Sequence, residues 1–450
     1  MRPACLMILL ISVLASGANG QMFRDRRPDQ APQFLYYEAI NLPSTDSTSS
    51  RVDIHYRLDR AFFIPVRNFD TTFAFPFKRR GEIVVELLDS TGGSRARDID
   101  RIELGENSDQ GNPEPKEWYQ GMVSFTVPPG TYKILFEVDD LESRRTHIDR
   151  HRTVRAARFA GQHMELSTPM LVSQTTLADT LVPENFGGEA LFGSSEGLFL
   201  EMIPTAPPGT PVQIAYSIII PPPFDKDSTV IVRDTINAIA PIRGITLTPQ
   251  KTDRVISYKV SSSLSSPIAG LLIPLKTEML PLRHYLLRLT VKEGKQEKHV
   301  FKPFMMVWPE MPLSLRDVDY AIDVLRYIAT DAQLDSLRRG NDEDRRNQLE
   351  QFWRRRDRTP ETAYNEVMTE YYRRVDYAVK EFGTLRQPDG FKSDRGRIYI
   401  LYGPPTSTER VLDPATGFKE TWTYDRLNKK FAFVDRDKSG NYVLVATMPQ

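Results

Sequence analysis

Two different spacings of apolar residues divide this chain, and the break between them limits its fold more than any other feature. From Phe34 to Trp308 apolar residues recur at every second position or in short continuous runs, whereas beyond Pro309 and Pro312 they recur at every third or fourth. A period of two sends successive side chains to opposite faces of a strand; a spacing of three to four lays them along one side of a helix. A long β half followed by helices is therefore expected.

The β half reads as two sets of strands. The first, from Phe34 to about Arg158, holds RVDIHYRL, EIVVELLD, MVSFTV and YKILFEV; the second, from about Met170 to Trp308, holds VQIAYSIIIPPP, STVIVRDT, RVISYKV and HYLLRLTV. Short strands with polar turns between them are the pattern of a β-sandwich. After the turn at Pro128, Pro129 and Gly130, the residues Tyr132, Ile134, Phe136 and Val138 share one face, and Tyr285, Leu287, Leu289 and Val291 repeat the arrangement. One reading is a duplicated immunoglobulin-like sandwich; the other is a pattern common to any half-buried strand.

Pro309 and Pro312 cannot continue a ladder. Ser314 with Asp317 resembles a capping box, and Val318, Ile322, Leu325 and Ile328 follow at helical spacing. Short helices are expected around Leu334 and Leu337, ending at Gly340, and around Leu349, Phe352 and Trp353. Thr359 and Pro360 suit the cap and first turn of a long helix running to Phe382, with Tyr364, Val367, Met368, Tyr371, Val375 and Ala378 on its apolar stripe. RIYILY, KETWTY, KFAFVD and NYVLVAT then read as four strands, the last two joined by the turn DRDKSGN. The expected division is a leader at 1–20, sandwiches at 21–165 and 166–310, and an α+β domain at 311–450 with helices in 314–382 and a β region in 395–448.

Composition narrows the function. Lysine plus arginine and aspartate plus glutamate both number 59, so no whole-chain field favours nucleic acid, and none is expected as a partner. Arg2, the apolar run Leu6–Ala15 and the small residues Ala18, Asn19 and Gly20 form a secretory leader, with cleavage expected before Gln21. That run is far shorter than the ~20 residues that span a bilayer, and no transmembrane segment is expected in the mature chain. Cys5, the only cysteine, lies in the leader, so the mature chain has neither disulfides nor thiolate ligands and is expected to work outside the cytoplasm on packed cores alone.

The stretch GFKSDRGRIYILYGPP, Gly390 to Pro405, concentrates glycine, arginine and an acid. As a phosphate loop it fails, because Pro404 and Pro405 remove backbone donors and no Gly-Lys-Ser/Thr follows. As a turn it is coherent: Gly390 and Gly396 suit backbone positions that need unusual dihedrals, and Asp394 can accept from amides or pair with Arg395 or Arg397. His147 and His151 lack the neighbouring glutamate of a zinc protease motif. Asp435 and Asp437 imitate the start of a calcium loop, but the twelfth position is Ala446, and a hairpin turn at Gly440 explains them better. No cofactor is expected.

The ordered string FWRRRDRTPETAYNEVMTEYYRRVDYAVKEF, GFKSDRGRIYILYGPP, ETWTY and FAFVD resembles the bacterial GWxTD domain family, named for Gly-Trp-x-Thr-Asp followed by Arg-Gly-Arg. Gly390 and Asp394 match that motif, while Phe391 stands for tryptophan and Ser393 for threonine. The resemblance covers about Leu315 to Gln450 and implies an exported bacterial protein with β domains ahead of the motif; it implies no particular reaction. The expected function is a non-enzymatic scaffold of the cell envelope whose C-terminal domain docks a protein, with Gly390, Asp394, Arg395, Gly396, Arg397, Tyr402, Gly403 and Trp422 binding a partner or organising the loop. A hydrolase of glycan or peptide using Asp394 as acid or base is one alternative, and carbohydrate binding by the sandwiches is another.

Overall fold

The computed structural model describes residues 34–449 except 45, 47, 108–117, 160–162, 175, 185–187, 195, 223–227, 252–254, 264, 309, 385–386, 414–416 and 437. The expected leader and Asp437 lie outside the described residues. Two compact units emerge, Met1–Trp308 and Pro309–Gln450. The chain is mostly β, built from several antiparallel sheets.

In the first unit, β1 (Leu35–Pro43), β2 (Ser50–Asp59) and β5 (Trp118–Val127) form one antiparallel sheet, and β3 (Phe77–Leu88) lies between β4 (Ser94–Glu106) and β6 (Gly130–Asp140) in another. The alternating Tyr132, Ile134, Phe136 and Val138 of β6 share one core with Val52, Ile54 and Tyr56 of β2. Period-two patterning thus gives each sheet one apolar face, and the two faces cover each other.

Further on come β7 (Gly197–Ile203), β8 (Val212–Ile219), β9 (Val230–Ile239), β10 (Ile245–Lys251), β11 (Ile256–Ser262), β12 (Ala269–Pro274), β13 (His284–Glu293) and β14 (Gln296–Val307). A five-stranded sheet runs in the order Glu189–Leu191, β14, β13, β8, β9; only the Glu189–Leu191 pairing in it is parallel. Its inner face packs Ile214, Ile218, Leu287 and Leu289 against Leu198, Leu200, Leu271 and Ile273 of β7 and β12. All seven residues of β7 are buried, because its other face meets a further core made by Ile245 and Leu247 of β10, Tyr258 of β11, and Ile40 and Leu42 of β1. A strand covered on both sides loses its alternation, so β7 escapes a period-two search, while the sheet of β10, β11 and Thr180–Leu181 packs on its far side.

Two tyrosines in this unit are tethered alike. The Tyr132 hydroxyl donates to Pro128 O at 2.7 Å, and the Tyr285 hydroxyl donates to Pro281 O at 2.9 Å, both four residues upstream. Where β1, β2 and β5 meet β11, Asp53 accepts from Arg51 Nε at 2.9 Å, Ser124 Oγ at 2.5 Å and Tyr258 Oη at 2.7 Å. Burial holds the nearby His55 down to about 4 and pushes the Glu201 carboxyl up to about 8, Arg51 opposing the latter.

The second unit contains α1 (Val318–Asp323), α2 (Asp331–Leu337), α3 (Asp342–Arg354), α4 (Glu366–Phe382) and α5 (Asp394–Tyr402), then β15 (Ser407–Asp413), β16 (Gly417–Tyr424), β17 (Lys429–Asp435) and β18 (Val443–Pro449) as an antiparallel sheet in chain order. Three expectations need correction. The cap of α1 is Asp317, whose side chain accepts from Tyr320 N at 2.9 Å, while Ser314 lies in a 3-10 turn. Helix α4 begins at Glu366 and not at Pro360, because Asn365 caps it by accepting from Met368 N at 2.8 Å and is itself anchored to Trp353 O at 3.1 Å.

The third correction is the largest. RIYILY, expected as the first strand of the β region 395–448, belongs to the helix α5. A short apolar run has no decisive period, and β-branched and aromatic residues lean towards strand. The ends decide it: Ser393 caps by accepting from Gly396 N at 3.0 Å, Asp394 occupies the first turn, and Gly403, at φ 80°, closes the helix by donating from its N–H to Tyr399 O at 2.7 Å. The first strand of the sheet is instead STERVLD, whose charged and hydroxyl residues hid it.

Candidate functional site

The stretch Gly390–Arg397 joins the end of α4 to the start of α5 by backbone-on-backbone packing. A methyl on Gly390 would run into Ala378 O and Gly383 N of the α4 terminus, and a methyl on Gly396 would run into Gly390 O. The Ser393 hydroxyl donates to Gly390 O at 2.7 Å while it caps α5. Neither glycine takes a positive φ, so the unusual dihedrals expected of them are not what they supply; both permit close approach, a role for which only glycine has the shape. Phe391, in the motif's aromatic position, is buried edge-on to Tyr320 at 5.7 Å, and its carbonyl accepts from the Tyr327 hydroxyl at 2.9 Å.

Asp394 ties this turn to the sheet. One carboxylate oxygen accepts from Leu444 N of β18 at 2.8 Å, and the other accepts from Arg397 Nη2 at 3.1 Å. Arg397 stays half in solvent. Arg395 points inward: its guanidinium lies 4.1 Å from the Tyr442 ring centre and 4.9 Å from that of Phe382, and donates to Glu420 at 3.3 Å and Gly440 O at 3.2 Å. Burial pulls the Arg395 pKa below its ordinary range, and the Glu420 charge opposes the shift.

Glu420 is the hub that the sequence reading missed. It is buried on β16 and accepts from Arg395, from Arg410 Nε at 3.1 Å and from Trp422 Nε1 at 2.6 Å. The signal was available, since Glu420, Trp422 and Tyr424 alternate in KETWTY and must share a face. A buried carboxylate with three donors is a satisfied charge, which removing any one donor would expose. The Trp422 ring packs on Phe382 at 5.5 Å and Phe433 at 4.9 Å, so this tryptophan belongs to the core.

At the far end of α5, Tyr402 stacks on Phe431 at 5.4 Å, and the Gly403 carbonyl accepts from the Tyr424 hydroxyl at 2.9 Å. Asp435 is buried and accepts from Ser439 N at 3.1 Å and Gly440 N at 2.9 Å, closing the hairpin turn between β17 and β18. His147 lies on the short strand Thr146–Asp149, edge-on to Phe34 at 4.8 Å. Among the described residues no three His, Cys, Asp or Glu side chains converge as a metal-binding group, and no helix is long and apolar enough to cross a membrane.

The fold and the site together define a mostly β chain ending in an α+β unit whose helices are locked by a glycine turn. The family model of the GWxTD domain matches residues 289–448, and the chain carries a GWxTD domain over that segment. That match starts at Leu289 in β13, ahead of the helices. Among solved structures, Escherichia coli alpha-2-macroglobulin activated by porcine elastase is similar at 10% identity over 62% of this chain and 24% of that one, with a TM-score of 0.16. Salmonella alpha-2-macroglobulin reacted with methylamine gives 7% identity, 62% and 25% coverage and a TM-score of 0.21. The chain spans about a quarter of the length of those proteins. No curated protein matches it.

Proposed function

We propose that this chain is an exported, non-enzymatic scaffold of the bacterial cell envelope, with two immunoglobulin-like sandwiches followed by a GWxTD domain that docks a protein partner. The paired tyrosine-to-upstream-carbonyl bonds of Tyr132 and Tyr285 support the duplicated sandwich, since a tyrosine tethered in this way recurs at the corners of such folds. The motif turn organises the domain, because both oxygens of Asp394 are engaged in holding Leu444 and Arg397.

The observation that carries docking is the open edge of the C-terminal sheet. Strand β15 is its terminal strand, and Val411 and Leu412 are about half exposed on it, beside Phe418 at the start of β16. An edge of this kind presents unpaired backbone groups to an extended segment, with exposed apolar side chains adding contact area. The occupant is a protein segment that adds as a strand beside β15.

Site-specific photo-cross-linking in the intact exported chain tests this. A cross-linker at Leu412 should yield a discrete adduct with another protein, one at Arg95 on the first sandwich should not, and Asp394→Asn should leave the Leu412 adduct in place. Absence of the Leu412 adduct, together with an envelope glycan or peptide hydrolysis that Asp394→Asn abolishes while the chain stays folded, would replace this reading with the hydrolase.

A further inference from the structure

The outer face of the five-stranded sheet in the first unit carries an arrangement that neither the core nor the docking edge uses. Register sets Ser217 of β8 opposite Arg233 of β9 on one side and Arg288 of β13 on the other, and sets Arg288 opposite Phe301 of β14. The next row along the strands is Thr235, Ala215, Thr290 and His299. Two strand spacings separate the arginine backbones by ~10 Å.

Small residues between long ones leave a hollow. Ala215 and Ser217 form its floor, Arg233, Arg288 and Phe301 its walls, and its volume is about 270 Å³. Both arginines are exposed, and neither is paired with an acid among the described residues. The carboxylates close by along the strands are already engaged: Asp234 with Lys276 at 2.8 Å, and Glu297 with Lys292 at 2.9 Å and His299 at 3.4 Å. Two like charges flanking a serine repel each other across the sheet, and an anion between them would reverse the sign of that interaction.

The rest of the lining narrows the anion. Phe301 is 54% exposed and offers a flat apolar face beside Arg288, while Ser217, Thr235 and Thr290 offer hydroxyls, that of Thr290 lying 3.1 Å from His299 Nδ1. Strands β8 and β13 are interior to the sheet, so their backbone is consumed and cannot add a peptide strand. A ligand here is read by side chains alone: carboxylates by guanidinium forks, hydroxyls by hydroxyls, and an apolar ring face by phenyl.

We propose that this hollow binds an acidic glycan, with its carboxylates on Arg233 and Arg288 and the face of a sugar ring against Phe301. The experiment is native gel electrophoresis of the full chain through polygalacturonate or through uncharged dextran. Polygalacturonate should retard the wild-type chain and dextran should not. Arg233→Gln with Arg288→Gln should weaken retardation by about tenfold or more, the expected loss for charge-assisted hydrogen bonds. Phe301→Ala should weaken it without changing net charge, and Arg101→Gln, which removes one exposed positive charge from the first sandwich, should leave it intact. Equal retardation by dextran, none by polygalacturonate, or the same loss in Arg101→Gln as in the double variant would overturn the proposal.

Discussion

Arg395 and Arg288 show the same side chain in opposite circumstances. Arg395 is enclosed by Phe382, Tyr442, Glu420 and Gly440, whereas Arg288 stands in solvent beside Phe301 with no acid paired to it among the described residues. The contrast teaches that a glycine-and-arginine motif can be a fold determinant, while an ordinary strand holds the side chains left available for a ligand. Concentration of charge in a sequence is a weak guide to which arginines remain available, because burial and pairing decide it.

Substitutions can break that contrast. Arg395→Ala leaves Glu420 buried with fewer donors and should cost about 3 kcal/mol, read from denaturant unfolding of the second unit through the fluorescence of Trp353 and Trp422. Arg288→Ala should change stability by less than ~0.5 kcal/mol, read from denaturant unfolding of the first unit through the fluorescence of Trp118, as an exposed site without an acid partner. Similar losses for the two would erase the distinction. Gly396→Ala pushes a methyl against Gly390 O and should cost about 1–3 kcal/mol; a neutral result would mean that the turn can open without harm.

Acid–base behaviour sharpens the comparison within the first unit. The Glu201 pKa is raised in the folded chain to about 8, so its stabilising effect is complete below the unfolded value and is lost as pH rises towards 8. His55 has the reverse sign: held down to about 4, it contributes above its unfolded value and loses that contribution as pH falls to 4. Glu201→Gln should therefore flatten the decline in melting temperature between pH 5 and pH 8 while preserving the loss near pH 4. A decline as steep as in the wild-type chain would remove Glu201 from the account.

Smaller effects are expected at the two tethered tyrosines. Tyr132→Phe and Tyr285→Phe each remove one hydrogen bond to a carbonyl and should each cost about 1 kcal/mol. Unequal costs would argue that the two β regions do not use the tyrosine in the same way. Arg397→Ala should cost no more than ~1 kcal/mol, since its pair with Asp394 is partly in water.

Much of the outline was legible in the spacing of apolar residues. Alternation identified β6 and β13, and the apolar stripe of α4 identified that helix, because each element has one buried face and one wet one. Helix α5 was misread for want of a period, although Ser393 and Gly403 carried its end signals. The candidate residues around the motif stand out in the sequence as a group, but their division into the buried Arg395 and Trp422 and the partly exposed Asp394 and Arg397 was not visible.

By itself the sequence determined the change from period-two to helical spacing after Trp308 and the absence of cysteine from the chain after Cys5. Local spacing suffices for these, since periodicity and side-chain size are properties of neighbouring residues. Only the tertiary structure decided that β7 is covered on both faces, that Glu420 gathers Arg395, Arg410 and Trp422, and that Arg233 and Arg288 flank one serine. Those facts depend on register and burial, which join residues far apart in the chain and leave little trace in any short stretch of it.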